Sequence, residues 1–397
     1  MRCMKKVAAL FLILVLLASG AVTVLAEGTT VDYSGSLEAG GISQSINNDF
    51  FLNGFVPGGF PSYPTFGSRI KWFNDLRIIP NDQVTLKLRV SYLNDTTQSA
   101  LPENNQFVFS RGFIDFTPNS TLSLRFGKQR LAWGTGYAWN PSDILDQPRN
   151  ALTDVDDPEG VTALRGDLNF GPVTTQLLIV PDSASLDWES SGRALRVKAS
   201  PGGVDVALGV IQKGTIAPSY TGDFAYSLAG LGLHGEVRYQ SEGNFRYGRF
   251  DTKKDICDYL VGMDYNLPGG YYLACEYYHN DQAYKNLSEL VGYFVLTSPT
   301  AAEIMDYLTY LGNNGGVMQN HIFLHSMKKF GEDFNVDLMF IYNPEFHSLV
   351  AQPKLEYIWG QNTSLFVKGL VNCGDANSEA GVLPIRNIWN LGMKVSF

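Results

Sequence analysis

The stretch that decides the fold runs from Leu122 to Asp143 and has the sequence LSLRFGKQRLAWGTGYAWNPSD. Its first six residues alternate between apolar and polar or small side chains, so an extended chain would carry Leu122, Leu124 and Phe126 on one side. The alternation slips by one residue after Gly127, which predicts a β-bulge there. Three aromatic residues then precede an Asn140-Pro141 break. This pattern predicts a strand that leaves a membrane through an aromatic belt at the outer rim of a barrel, although an edge strand of a soluble sheet fits equally well.

The N-terminal residues have the parts of an export signal. A charged start is followed by an apolar run from Val7 to Leu17 and then by Ala26, a small residue suited to cleavage. We therefore predict a signal peptide over residues 1–26. The mature chain begins near Glu27, and residues 27–397 form one barrel domain.

Composition narrows the class of protein. The chain has a formal net charge of −9, which argues against a nucleic-acid-binding protein. Beyond the signal there is no apolar run near the roughly 20 residues that a membrane helix needs. Three cysteines follow the signal, an odd number that argues against a disulfide scaffold. Forty glycines, 20 tyrosines and 24 phenylalanines with few charges fit a barrel with aromatic girdles.

Short turns and long loops alternate along the chain. The short turns are rich in Gly, Pro, Asn or Asp, and they lie at 80–82, 117–119, 170–172, 200–203, 230–231, 267–270, 331–333 and 360–362. Eight hairpins plus a strand at each end give eighteen strands, with sixteen as the alternative count. The predicted fold is an all-β, transmembrane, antiparallel up-and-down β-barrel.

Two features support a membrane barrel over a soluble sheet. In strands such as Gln83 to Tyr92, all charged residues fall on one face, and a barrel must keep its lipid face free of charge. The last strand alternates in phase from Trp389 to Phe397. This ending resembles the signal that outer-membrane barrels present to their insertion machinery, so we expect that machinery to be a partner through Phe397.

The charged faces of the strands supply candidate lumen residues. We predict that the pore is lined by Lys71, Arg77, Lys87, Arg89, Arg111, Asp115, Arg125, Lys128, Arg130, Arg165, Asp167, Arg196, Lys198 and Arg238. Such a wall would favour anions or polar solutes, because charged rings tune the selectivity of pores. The alternative is a ladder of ion pairs that fills a closed lumen.

Other motifs carry less chemistry. Thr300 and Glu303 have the spacing of a capping box, which predicts a short amphipathic helix in the loop from Asn280 to Gln319. That helix would either fold into the mouth or lie on the rim. His321 and His325 would match a metal pair on a helix, but on a strand they lie roughly 13 Å apart. We predict no metal, no cofactor and no catalytic residues.

The stretch resembles porin-like outer-membrane barrels of the alginate-export and related types. The resemblance rests on an R-x-G-[KR]-Q strand (Arg125 to Gln129), a W-G-x-G segment (Trp133 to Gly136) and an N-P-x-D loop (Asn140 to Asp143), in that order. It covers about 60 residues closely and implies a barrel through the outer membrane that acts as a channel. It does not imply alginate as the substrate.

Together these features predict a porin-like channel for passive diffusion of small polar or anionic solutes. The predicted location is the outer membrane of a two-membrane bacterium, with membrane lipid and small solutes as partners and no nucleic acid. A homotrimer would fit such a barrel. The alternatives are a structural or adhesion barrel that acts through its surface loops and, less favoured, an outer-membrane enzyme.

Overall fold

The computed structural model describes most of the residues for which the sequence predicts strands. It covers residues 28–47, 64–98, 105–146, 159–182, 188–247, 250–286, 316–375, 378–382 and 385–397, together with 288–290, 292, 300, 303–304 and 307. The predicted export signal lies outside the described residues. No helix in these ranges is long and apolar enough to cross a membrane.

Eighteen antiparallel strands form one sheet. In chain order they are β1 (Thr30–Ile46), β2 (Phe66–Asn81), β3 (Val84–Asp95), β4 (Asn105–Phe116), β5 (Leu122–Gln129), β6 (Val161–Phe170), β7 (Val173–Val180), β8 (Gly192–Ala199), β9 (Val204–Lys213), β10 (Ser219–Leu228), β11 (Leu231–Tyr247), β12 (Phe250–Leu267), β13 (Tyr271–His279), β14 (Asn320–Phe330), β15 (Phe334–Asn343), β16 (Ser348–Ile358), β17 (Thr363–Cys373) and β18 (Ile385–Ser396). The predicted fold class and the count of eighteen are confirmed.

The sheet closes on itself. Each strand pairs with its neighbours in the chain, and β1 also pairs with β18 from Ser36↔Ser396 to Ile46↔Ile385. Gly35 and Phe397 extend this seam, because the amide of each donates to the carbonyl of the other, at N–O distances of 2.8 and 3.0 Å. Closure leaves no sheet edge between the first and last strands, as a barrel in lipid requires.

The two faces of the sheet differ in chemistry. Large apolar side chains on alternate positions are exposed on the outside, for example Leu208 at 71%, Leu391 at 66% and Phe126 at 62%. The intervening positions point inward and carry most of the charged residues, such as Glu236 and Arg238 on β11. An apolar exterior with a polar interior is the pattern of a barrel that faces lipid.

Each of the eight predicted short turns joins two strands of the barrel. The bulge predicted at Gly127 is wrong, because β5 pairs with both β4 and β6 in continuous register through this residue. Gly127 instead has φ +125° and lies over the backbone of Gly112 and Phe113, where a Cβ atom would collide. The slip in the sequence pattern therefore marks the end of the strand and the beginning of the loop that follows it.

Candidate functional site: a loop folded against the inner wall

The segment after β5 folds into the barrel. We call Arg130 to Asp146 the inner loop. Its base is closed by the Asp146 carboxylate, which accepts hydrogen bonds from Arg130 Nε at 2.8 Å, Leu131 N at 3.0 Å and Ala132 N at 3.3 Å. Asp146 is 7% exposed, so these three donors replace the water that the carboxylate loses.

The first contact of the inner loop with the wall is apolar. Leu131, Trp133 and Leu145 pack in one cluster with inward side chains of β6 to β9, namely Ala163, Leu178, Ala194 and Ile211. The indole Nε1 of Trp133 donates to Gln176 Oε1 on β7 at 2.6 Å. Its ring lies 5.2 Å from the guanidinium of Arg196 on β8. Trp133 is thus anchored by burial, a hydrogen bond and a cation–π contact.

The second contact is made by Glu236, an inward residue of β11. Its carboxylate accepts from the backbone amides of Thr135, Gly136 and Ser142, and from Ser142 Oγ at 2.7 Å. Gly134 precedes this group with φ +95°, and a Cβ atom there would collide with the same carboxylate. Glu236 is 4% exposed, so a buried carboxyl group on the wall satisfies amides that the loop cannot pair within itself.

The third contact repeats this arrangement on β13. Glu276 accepts from the amides of Tyr137 and Ala138, the latter at 2.9 Å, and its Oε1 lies 2.8 Å from His234 Nε2. The Tyr137 hydroxyl donates to Asp264 at 2.9 Å. Partial burial and the neighbouring hydroxyl of Tyr272 and carboxylate of Asp264 raise the pKa of Tyr137, which keeps its hydroxyl protonated as the donor.

The fourth contact is aromatic. Trp139 is stacked on Tyr278 of β13 with ring centroids 4.9 Å apart, and it meets Phe323 of β14 edge-on at 6.3 Å. Its ring also lies 5.5 Å from that of His321 on β14. The sequence pattern placed this tryptophan in a lipid-facing belt at the rim. That placement is wrong, since Trp133 and Trp139 are 4% and 6% exposed against inward residues.

These contacts divide the inside of the barrel. The inner loop lies along what we call the covered wall, the inward faces of β6 to β15. The inward faces of β16 to β18 and of β1 to β5 form the rest of the circumference, which we call the bare wall. Because β5 and β14 lie far apart around the closed sheet, the inner loop must extend through the lumen from one to the other.

The bare wall carries half of the predicted lumen residues. Arg89 pairs with Asp75 on β2, with Nε and Oδ1 2.7 Å apart, and Arg125 pairs with Asp115 on β4 at 2.5 Å. Arg77 lies 3.6 Å from Asp32 on β1. By strand alternation, Lys71, Lys87 and Arg111 share this inward face. Next to it on β6, Arg165 pairs with Asp167 at 2.9 Å.

Four predicted residues are placed differently. Arg196 and Arg238 point inward but are buried, paired with Asp223 at 2.6 Å and Asp258 at 3.3 Å. Arg130 closes the base of the inner loop. Lys128 is a correction, because continuous register puts it on the outward face of β5 beside Phe126, where it pairs with Glu159. The last predicted residue, Lys198, lies exposed on the inward face of β8.

Sequence reasoning missed three lysines on the bare wall. Lys354 on β16 lies directly opposite Lys368 on β17, and Lys394 on β18 is opposite Glu38 on β1. Each alternates with an exposed apolar residue of its strand, respectively Leu355, Val367 and Met393. The same alternation was present in the sequence, so parity alone would have identified them.

Comparisons with known proteins give the fold. No family model matches the chain, and no curated protein matches it. OccK11 (OpdR) of Pseudomonas aeruginosa is similar over 94% of this chain and 98% of its own, with a TM-score of 0.57 and 10% identity. A mutant porin of Rhodopseudomonas blastica aligns over 93% of this chain and 100% of its own, with a TM-score of 0.46 and 10% identity.

The similarity to OccK11 confirms the predicted porin-like barrel fold, and it does not distinguish the alginate-export type. The closed eighteen-stranded sheet with its apolar exterior is the architecture of a bacterial outer-membrane protein. The chain is therefore located in that membrane, as its sequence predicted.

Proposed function

We propose that this chain is an outer-membrane channel for passive diffusion of small polar or anionic solutes, narrowed by the inner loop. One observation carries the proposal: the inner loop is held along one wall inside a closed eighteen-stranded barrel. A barrel of this size has a lumen that wall side chains alone do not fill. A loop fixed on one side narrows that lumen and leaves the other side for the solute.

The charge of the bare wall supports the preference for anions. Lys71, Lys87, Arg89 and Arg125 face the lumen on β2 to β5, and the three lysines of β16 to β18 extend the basic surface around the seam. Several arginines are paired with aspartates, which reduces the net charge but leaves donors for polar solutes. Cationic side chains along a water-filled path attract anions.

The test is electrical. The mature chain is refolded in detergent, its gel mobility is compared with and without heating, and planar-bilayer currents are then recorded in salt gradients. We expect a heat-modifiable band, stepwise current, and a reversal potential whose sign indicates selectivity for anions. The K87Q/R89Q/R125Q variant should move that potential towards cations. A heat-modifiable barrel without current would overturn the channel and favour the structural or adhesion alternative.

Two partner predictions belong to the same proposal. Insertion through the barrel-assembly machinery by way of Phe397, and assembly as a homotrimer, would both fit a channel of this kind. Deleting Phe397 should reduce insertion into membranes, and cross-linking of the detergent-extracted protein should give a trimer band if the protein assembles.

A further inference from the structure

Two loops of the extracellular mouth and the inner loop converge on one histidine–glutamate pair. His321 begins the inward face of β14, and Glu379 lies in the β17–β18 loop, 58 residues further along the chain. Their Nε2 and Oε2 atoms are 2.9 Å apart. His321 is 2% exposed, so this contact forms inside the packed mouth and away from bulk water.

Glu379 joins its own loop to a second one. Its other oxygen, Oε1, accepts from the backbone amides of Val317 at 2.7 Å and Met318 at 3.3 Å, at the end of the β13–β14 loop. Although burial raises the pKa of this carboxyl, the His321 side chain and the two amides lower it overall. Glu379 therefore remains an anion that holds three donors. Gly316, at φ +111°, leaves room for the His321 ring.

The contact continues into the packed part of the β13–β14 loop. Met318 is bridged to Tyr284, whose hydroxyl lies 2.6 Å from that of Tyr307. Ile304 is fully buried near this group, and Thr300 and Glu303 form the predicted capping box, with Thr300 N and Glu303 Oε2 2.8 Å apart. The rest of the predicted helix lies largely outside the described residues.

The contact also continues into the inner loop. The ring of His321 lies 5.5 Å from that of Trp139, the residue that stacks the inner loop on Tyr278. Glu379 is thus connected to the inner loop by one charged hydrogen bond, to His321, and by one ring contact, between His321 and Trp139. A packed side chain can move less when its neighbour is fixed. Because the His321 ring contacts Trp139, fixing His321 also restricts Trp139.

We propose that Glu379 is a positioning residue that couples the extracellular loops to the inner loop. By fixing His321 it holds Trp139 on the wall, and by fixing Val317 and Met318 it ties the same joint to the β13–β14 loop. This inference rests on the proposed channel function. The extracellular loops and the inner loop should then fluctuate together, since the carboxylate of Glu379 holds residues that contact both.

The test compares gating among four single-residue variants. E379A removes all three acceptor contacts, E379Q keeps one oxygen for the amides but loses the charge, and E379D keeps the charge on a shorter side chain. E332Q, in a periplasmic turn, is the matched control for loss of one negative charge. We expect E379A to raise the ratio of closed to open time at least about tenfold, the scale of losing a charged hydrogen bond. E379Q and E379D should fall between E379A and wild type, and E332Q should match wild type.

A second comparison separates positioning from simple stabilisation. H321A and the H321A/E379A double variant should gate like E379A, because both residues act on one path. On a gel, the temperature at which the folded band converts to the unfolded band should stay at the wild-type value. The hydrogen bonds between the strands of the barrel do not involve Glu379. Wild-type gating in E379A, additive effects in the double variant, or a large drop in that temperature would overturn the coupling. Absence of current from the wild-type chain would instead overturn the proposed channel.

Discussion

The covered wall and the bare wall are built from the same alternating strands but use their inward side chains differently. On the covered wall, Glu236, Glu276 and Arg196 are buried and contact the inner loop. On the bare wall, Arg125 and Asp115 pair while 29% and 22% exposed. Buried charges are costly to unpair and exposed ones are not. The covered wall is therefore constrained by packing, and in the proposed channel the bare wall would determine which solutes pass.

The largest expected effect is on a buried ion pair of the covered wall. Arg196→Met would leave Asp223 buried without its partner and should lower the free energy of unfolding by about 3–5 kcal/mol. Urea unfolding in detergent, followed by tryptophan fluorescence, would measure it. The R196M/D223L variant removes both charges and should recover most of the loss. If the Arg196→Met variant were as stable as wild type, the pair would not be buried as described.

The next effect is on the docking of the inner loop. Glu236→Ala removes the acceptor for three amides and one hydroxyl, which should cost about 1.5–3 kcal/mol in loop docking. The loop should then leave the wall part of the time and make the open-channel current noisier. Glu356→Ala on the bare wall is the control, and its current should remain quiet. Equal noise in both variants would remove the distinction between the two walls.

A smaller effect is expected for an ion pair of the bare wall. Arg125→Met breaks the pair with Asp115, but both groups retain water, so the loss of stability should be only about 0.2–1 kcal/mol. The same urea experiment compares it directly with Arg196→Met. A loss as large as that of the buried pair would contradict the assignment of Arg125 to an open lumen.

The smallest expected change in the free energy of unfolding is for a variant that alters ion selectivity. The K354Q/K368Q/K394Q variant removes three positive charges from the bare wall and should shift the reversal potential towards cations with little change in stability. The neutral pair variant R196M/D223L should leave that potential unchanged. An equal shift in both would mean that solutes sample the covered wall as well.

The barrel could be predicted from the sequence because its signals are local. Alternation sets which side of a strand faces lipid, and turn residues mark each short reversal within a few positions. The capping box of Thr300 and Glu303 was visible for the same reason. Lys128 was misplaced because the slip after Gly127 suggests a bulge, whereas β5 keeps its alternation through Gln129.

The inner loop could not be predicted because its partners are distant in the chain. Glu236 lies 100 residues beyond Gly136, and Glu276 lies 138 beyond Ala138. Nothing near Trp139 in sequence distinguishes a ring that faces lipid from one that stacks inside on Tyr278. One clue was available for Glu276: its neighbours on the inward face of β13, Ala274 and Tyr278, are not basic, so its carboxylate needs donors from another segment.

The seam between β1 and β18 has a consequence for the order of assembly. The strands from β1 to β18 can pair one after another as hairpins, with contacts close in sequence. The final ladder, from Ser36 to Ile46 against β18, joins the two most distant strands of the sheet. Pairing between segments so far apart is intrinsically slow, because the chain must be brought together before any contact is gained. We therefore expect the barrel to remain an open sheet until its last strand pairs with β1, and closure of the seam to be the slow step of its assembly.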